Sequence, residues 1–92
     1  MTKLSAYKTA WYGDNDNGSV IYTNTNIVNW DENSISLNSD GWQTVTTKKK
    51  MNQTSEMFGL DFQVFQKDFD WFVRLPNGSI VDYYDNMEIS RR

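Results

Sequence analysis

Apolar and polar residues alternate in short stretches over the first forty positions of the chain, and this pattern predicts β-strands. Tyr, Trp, Val and Ile, which favour strands, are concentrated in four segments. Asp, Asn, Ser and Gly, which turns require, lie between these segments. We therefore expect four short strands joined by turns. They cover residues 6–12, 19–23, 27–30 and 34–37.

A later stretch has the spacing of a helix instead. Met51, Ser55 and Phe58 recur at helical intervals, and Gly59 follows where a left-handed C-cap is wanted. Either Thr46 or Thr47 is expected to cap the start. The pattern predicts a helix over about residues 47–58, preceded by a strand over residues 42–46. A helix this short is marginal alone, so we expect it to pack on a sheet.

The last third of the chain predicts a three-stranded meander. Asn77 and Gly78 form the strongest two-residue hairpin signal. With these two residues as the turn, Phe72 faces Tyr83. Residues 68 and 69 make the preceding turn, which places Phe65 opposite Phe72.

This register sorts the meander into two faces. The face expected to lie under the helix holds Phe62, Val64, Trp71, Val73, Leu75, Ile80 and Tyr84. The other face holds a row of three rings, Phe65, Phe72 and Tyr83, among polar neighbours. Such a row is either a second buried layer beneath the N-terminal strands or an exposed contact surface.

Together these elements predict one α+β domain over residues 1–92. We expect an antiparallel sheet of about five to seven short strands. One short helix packs on one face of it, and the C-terminal strands form the meander.

Composition excludes several kinds of chemistry. The 92 residues include no Cys and no His, which removes thiolate nucleophiles, imidazole acid/base catalysis and nearly every transition-metal site. No pair of carboxylates is spaced for acid/base work. We therefore expect a protein that is not an enzyme and has no catalytic residues, metal or cofactor. Its core must be built from rings, because aromatic residues make up 15% of the chain.

Charge and hydropathy bear on partners and location. The net charge of −3 argues against a general binder of phosphate backbones. No apolar run approaches the length of a membrane span, and the N-terminus lacks a signal-peptide profile. These features predict a cytosolic protein with no membrane partner.

A basic run at the predicted helix start is a second candidate site. Thr47, Lys48, Lys49 and Lys50 place hydroxyl and ammonium groups near exposed helix amides, an arrangement that suits an anion or phosphate. No glycine-rich loop accompanies them. A solvated basic face without a ligand is the alternative.

Residues 41–66 carry a family resemblance. The stretch Gly41–Lys48, then Met51 and Asn52, and then Phe58, Gly59, Phe62 and Val64–Gln66 resembles small uncharacterised accessory proteins of tailed bacteriophages. The resemblance implies a phage accessory product acting in the cytoplasm of a bacterial host. Compact acidic phage proteins of this size often bind a host factor and block or redirect it.

The leading hypothesis is a phage protein that inhibits or modulates a host protein, possible targets being a defence or nucleic-acid-handling factor. Its predicted contact surface combines rings with acidic side chains. These residues are Phe65, Phe72, Tyr83, Asp68, Asp70, Asp82 and Asp85.

Two alternatives stay open. One is a single-stranded nucleic-acid binder in which the same rings stack on bases while Lys48–Lys50, Lys67 and Arg74 hold phosphates. The other is a minor structural protein of the virion that self-associates through a sheet edge or the aromatic face.

Overall fold

The first four strands form an antiparallel meander, as the alternation predicts. The computed structural model of the chain describes residues 8–91. The strands are β1 (Thr9–Gly13), β2 (Gly18–Tyr22), β3 (Thr25–Trp30) and β4 (Ser34–Leu37). Residues 6 and 7 of the first predicted strand lie outside the described residues.

Aspartates organise two of the turns in this meander. Asp14 Oδ1 accepts hydrogen bonds from the backbone N–H groups of Asp16 (2.9 Å) and Asn17 (3.1 Å). Asp31 accepts two backbone N–H groups in the same way between β3 and β4. These hydrogen bonds lower the pKa of both carboxyl groups, because they favour the charged form.

The helix, α1 (Val45–Phe58), begins earlier than the sequence predicts. Thr44 is its N-cap, with extended backbone angles and a hydroxyl that accepts the backbone N–H of Thr47 at 3.1 Å. The predicted capping by Thr46 or Thr47 is therefore wrong, since both residues lie in the first turn. The predicted strand over residues 42–46 is also wrong, because the cap and the first turn occupy that stretch.

The helix end and its buried side agree with the prediction. Gly59 is the C-cap at φ 66°, and its N–H bonds to the carbonyl of Ser55. Met51 and Phe58 are buried. The Phe58 ring lies 4.7 Å from that of Trp30, centroid to centroid. The narrow apolar side of α1 is thus joined to the sheet by large rings.

The predicted C-terminal meander is present as a separate three-stranded antiparallel sheet. Its strands are β5 (Gln63–Lys67), β6 (Asp70–Arg74) and β7 (Ile80–Asp82). Phe65 faces Phe72 across the first hairpin, and the turn lies at residues 68 and 69, as predicted.

The predicted register of the second hairpin is wrong by one residue. Phe72 faces Asp82 instead of Tyr83, and Arg74 faces Ile80. Pro76, Asn77 and Gly78 form a three-residue loop, which is closed by hydrogen bonds between Leu75 and Ser79 and between Gly78 and Leu75. Gly78 takes φ 90°, so the loop fits a type I turn followed by a left-handed residue rather than a two-residue turn. A slip of one residue moves every side chain of β7 to the opposite face.

The last strand of the described residues is not predicted from the sequence. After the meander, β8 (Met87–Ser90) pairs antiparallel with β4. It completes a five-stranded sheet of order β1-β2-β3-β4-β8. The segment from β7 to β8 therefore connects the two sheets, because β7 belongs to the three-stranded sheet and β8 to the five-stranded one.

Buried apolar side chains from both sheets and from α1 form one core cluster. The α+β class, the single helix and the C-terminal meander are confirmed for residues 8–91, although that part of the chain has eight strands instead of five to seven. No helix within residues 8–91 combines the length and apolar character needed to cross a bilayer.

Candidate functional site

The solvent-facing side of the three-stranded sheet is the candidate site, and we call it the outer face. Side chains alternate between the two sides of a strand, and Val64, Trp71 and Val73 are buried toward the core. The residues between them therefore point outward. The outer face consists of Gln63, Phe65, Lys67, Asp70, Phe72, Arg74, Ile80 and Asp82.

Two stacked rings lie at the centre of the outer face. The centroids of Phe65 and Phe72 are 5.8 Å apart at an interplanar angle of 28°. Both residues are only partly buried. Asp82 faces Phe72 on the next strand, while Lys67 and Asp70 face each other beside the ring pair. The result is an apolar centre surrounded by polar and charged side chains.

Tyr83 lies on the other side of the sheet, contrary to the predicted row of three rings. It is 8% exposed, and its ring meets Trp71 edge to face at 5.3 Å. Burial raises the pKa of the Tyr83 hydroxyl, and the hydrogen bond to Asp85 adds to this rise. The cause of the error is the one-residue register slip, which turns Tyr83 inward.

Asp85 is likewise engaged inside the molecule. Its Oδ1 accepts the hydroxyls of Tyr83 and Ser39 at 2.7 Å each and the backbone N–H of Ser39 at 2.9 Å, and its Oδ2 accepts the N–H of Gly41 at 2.9 Å. Burial alone would raise its pKa, but these hydrogen bonds together lower it. Asp85 therefore holds the segment before α1 against the segment after β7.

The other predicted contact residues lie at the surface. Asp70 and Asp82 are exposed on the outer face, and Asp68 is exposed in the turn that joins β5 to β6. The structure thus brings Phe65, Phe72 and three of the four aspartates together. It separates Tyr83 and Asp85 from them.

The lysine run does not form one basic surface. Because α1 begins at Val45, the lysines lie in its second turn and point in different directions. Lys49 is exposed, whereas Lys50 is 2% exposed, with Nζ 5.1 Å from the centroid of the Tyr22 ring. Burial and then the neighbouring Lys49 lower the pKa of Lys50. Thr47 is also buried, so the predicted anion contact is not assembled.

A polar row crosses the outer side of the five-stranded sheet. Tyr12, Ser19, Asn29, Ser36 and Glu88 face one another in turn across all five strands. They help to line an open groove of about 390 Å³. Hydroxyl, amide and carboxylate groups are what the wet face of an antiparallel sheet ordinarily carries.

Two exposed apolar residues on or beside the outer face are not predicted from the sequence. Ile80, which the predicted register places in the core, is 60% exposed on the outer face. Phe69, predicted only as a turn residue, is 94% exposed. Pro76 carried the missing signal for Ile80, since proline before Asn-Gly favours a type I turn and thus the longer loop.

Among the described residues, no group of three or more Asp or Glu side chains is placed to hold a metal ion. The outer face itself consists of two rings, one aliphatic side chain, an amide and charged side chains of both signs.

Comparison with known protein families shows a match over nearly the whole chain. Residues 2–90 match the model of a protein family described as Kyanoviridae Gp96 protein. Neither the curated proteins nor the solved structures include one that matches the chain.

Proposed function

Because the chain belongs to the Kyanoviridae Gp96 family of bacteriophage proteins, we propose that it is an accessory protein that binds a host protein and inhibits or modulates it. The contact surface is the outer face of β5–β7. The host cytoplasm, where phage proteins are synthesised, is the proposed site of action.

The observation that carries this proposal is the Phe65–Phe72 pair. The opposite side of the same sheet already contributes Val64, Trp71 and Val73 to the core. A sheet of this kind needs only one buried face, so folding does not require two stacked rings on the wet side. Partly exposed rings inside a polar rim are typical of protein interfaces.

Charge supports a protein partner with some basic surface. Residues 56–90 carry seven acidic and two basic side chains, and three of the acidic ones lie on or beside the outer face. Exposed charges of this sign steer association toward positive surfaces and add specificity more than affinity.

The nucleic-acid alternative receives less support from the same geometry. Tyr83 and Lys50 are both buried, so the stacking platform loses one ring and the phosphate contacts lose one cation. The virion alternative depends on self-association, which sedimentation velocity of the purified protein measures directly.

Affinity capture from host lysate tests the proposal. Wild-type protein, Phe65→Ala and Phe72→Ala are immobilised, and bound proteins are quantified by mass spectrometry. Tyr12→Ala is the matched control, because Tyr12 is an exposed ring on the other sheet. We expect a specific host protein that both outer-face variants recover poorly and that Tyr12→Ala recovers normally.

Circular dichroism and thermal melting establish that each variant is folded. Equal recovery by all four proteins, or no specific host protein on the wild type, would contradict the proposed contact surface.

A further inference from the structure

The turn between β5 and β6 combines two unusual features in one residue. Asp68 and Phe69 have φ values of 53° and 73°, so both central residues of this hairpin turn are left-handed. Such turns strongly prefer Asn-Gly or Asp-Gly. Asp68 fits its position, whereas Phe69 places a β-carbon and a large ring where glycine is favoured. The ring is also 94% exposed.

Folding gives no reason for phenylalanine at this position. A side chain other than glycine is disfavoured in the left-handed region. A ring that is almost fully exposed gains little from burial in return. Seven other residues apart from glycine also have positive φ in residues 8–91, but Phe69 is the one that combines this backbone with an exposed ring. Residues in strained conformations cluster at functional sites.

The hairpin tip is continuous with the outer face. Lys67 and Asp70 flank the turn as a cross-strand pair, and Phe65 and Phe72 form the next pair on the same side. Phe69 therefore projects from one end of the surface that carries the stacked rings. The two-residue turn fixes the backbone at Phe69, so little backbone entropy is lost when the ring is bound.

We propose that Phe69 is the anchor of the partner interface, entering an apolar pocket of the host protein while Asp68 and Asp70 meet basic side chains at the rim of that pocket. This inference rests on the proposed function. Buried aromatic anchors of this type dominate the binding energy of many interfaces.

A protein pocket fits the surroundings of Phe69 better than a bilayer does. The ring stands alone between two aspartates, and the chain carries a net charge of −3. Anionic membrane surfaces repel such a segment.

The test compares two substitutions at this one position. Phe69→Gly removes the ring and gives the turn its preferred residue, whereas Phe69→Leu keeps a large apolar side chain and the strain. We expect Phe69→Gly to raise Tm by about 2–6 °C. Biolayer interferometry with the purified host protein captured by the wild type should show affinity at least about tenfold weaker for Phe69→Gly. Phe69→Leu should bind more tightly than Phe69→Gly, and the affinity of the Tyr12→Ala control should equal that of the wild type.

The outcomes separate this inference from the proposed function. If Phe65→Ala and Phe72→Ala lose the host protein but Phe69→Gly keeps full affinity, Phe69 is not the anchor and the outer-face proposal stands. A lower Tm for Phe69→Gly would mean that the ring supports the fold, which also overturns the inference. If the wild type captures no host protein, both fail.

Vesicles of phosphatidylcholine test whether the Phe69 ring binds a bilayer instead. If the wild type co-sediments with these vesicles and Phe69→Gly does not, the ring binds a bilayer and the proposed protein pocket is wrong. We expect neither protein to sediment with them.

Discussion

The side-chain amide of Asn52 makes two hydrogen bonds with the backbone of Val64, in the way that the backbone of a neighbouring strand would. Its Nδ2 donates to the Val64 carbonyl at 2.8 Å, and its Oδ1 accepts the Val64 N–H at 2.7 Å. Ser55, one helical turn later, does the same for the backbone of Phe62 at 2.7 and 2.9 Å. The helix thereby closes the outer edge of β5, which would otherwise present unpaired backbone groups.

Replacing this amide tests how much the closed edge stabilises the fold. Asn52→Ala leaves the backbone groups of Val64, a buried residue, without these partners, and we expect it to lower the free energy of unfolding by about 1–3 kcal/mol. Urea denaturation followed by fluorescence measures this loss. Glu56→Ala, an exposed change on the same helix, should stay within about 0.5 kcal/mol of the wild type. A small effect of Asn52→Ala would mean that water replaces the amide at this edge.

The register of the last hairpin makes opposite predictions for two adjacent tyrosines. Tyr83 packs on Trp71 in the core, whereas Tyr84 is 61% exposed. Tyr83→Ala should lower the free energy of unfolding by about 3–5 kcal/mol, because it leaves a cavity and removes the hydroxyl that donates to Asp85. Tyr84→Ala should cost less than about 1 kcal/mol. Chemical denaturation of both variants decides the matter, and the reverse order would support the register that Asn77-Gly78 alone predicts.

The Asp85 carboxylate predicts an acid-dependent loss of stability. The folded-state pKa lies below the unfolded value of about 3.9. Its contribution is therefore fully present above that value and is lost as pH falls through the folded pKa. Asp85→Asn should lower Tm at pH 7, because the amide cannot accept the N–H of Gly41 where Oδ2 did. The difference in Tm between the wild type and Asp85→Asn should become smaller below about pH 4.

Thermal melting from neutral to acidic pH measures this difference. Asp14 and Asp31 also have lowered pKa values, so the Asp85→Asn protein should retain part of the acid sensitivity. A difference in Tm that stays constant at all pH values would show that the role of Asp85 does not depend on its charge.

The position of the lysines predicts weak binding to single-stranded nucleic acid. Lys48, Lys49 and Lys50 point in different directions on α1, and Lys50 is buried. Since backbone affinity depends on cations aligned along a strand, we expect no salt-dependent binding of a short oligonucleotide near physiological ionic strength. Fluorescence titration at low and moderate salt provides the measurement. Tight binding that Lys49→Ala weakens would instead favour the nucleic-acid alternative.

Local sequence signals were enough for elements whose causes lie nearby in the chain. The turn at Asp14, the cap at Gly59 and the pairing of Phe65 with Phe72 follow from residues within a few positions of each feature. The meander, the helix and the α+β class were therefore predictable. Phe65, Phe72, Asp68 and Asp70 could be placed at the candidate site for the same reason, whereas Asp82 reaches the outer face through the one-residue shift of the second hairpin.

Errors arose where competing local signals had similar strength. Thr44, Thr46 and Thr47 are all suitable caps, and the backbone conformation before α1 selects Thr44. Pro76 competes with the two-residue turn preferred by Asn77 and Gly78. The longer loop shifts the register, which buries Tyr83 and exposes Ile80.

The sequence by itself determined seven of the eight strands, the helix with its C-cap, the turn at residues 68 and 69, and the supply of rings from which the core is made. The tertiary structure alone decided that β8 completes the first sheet and that Asn52 closes the edge of the second. It also decided which rings are exposed to solvent. The reason is that these contacts join residues far apart in the chain, and packing of the whole molecule chooses among arrangements that local propensity leaves nearly equal.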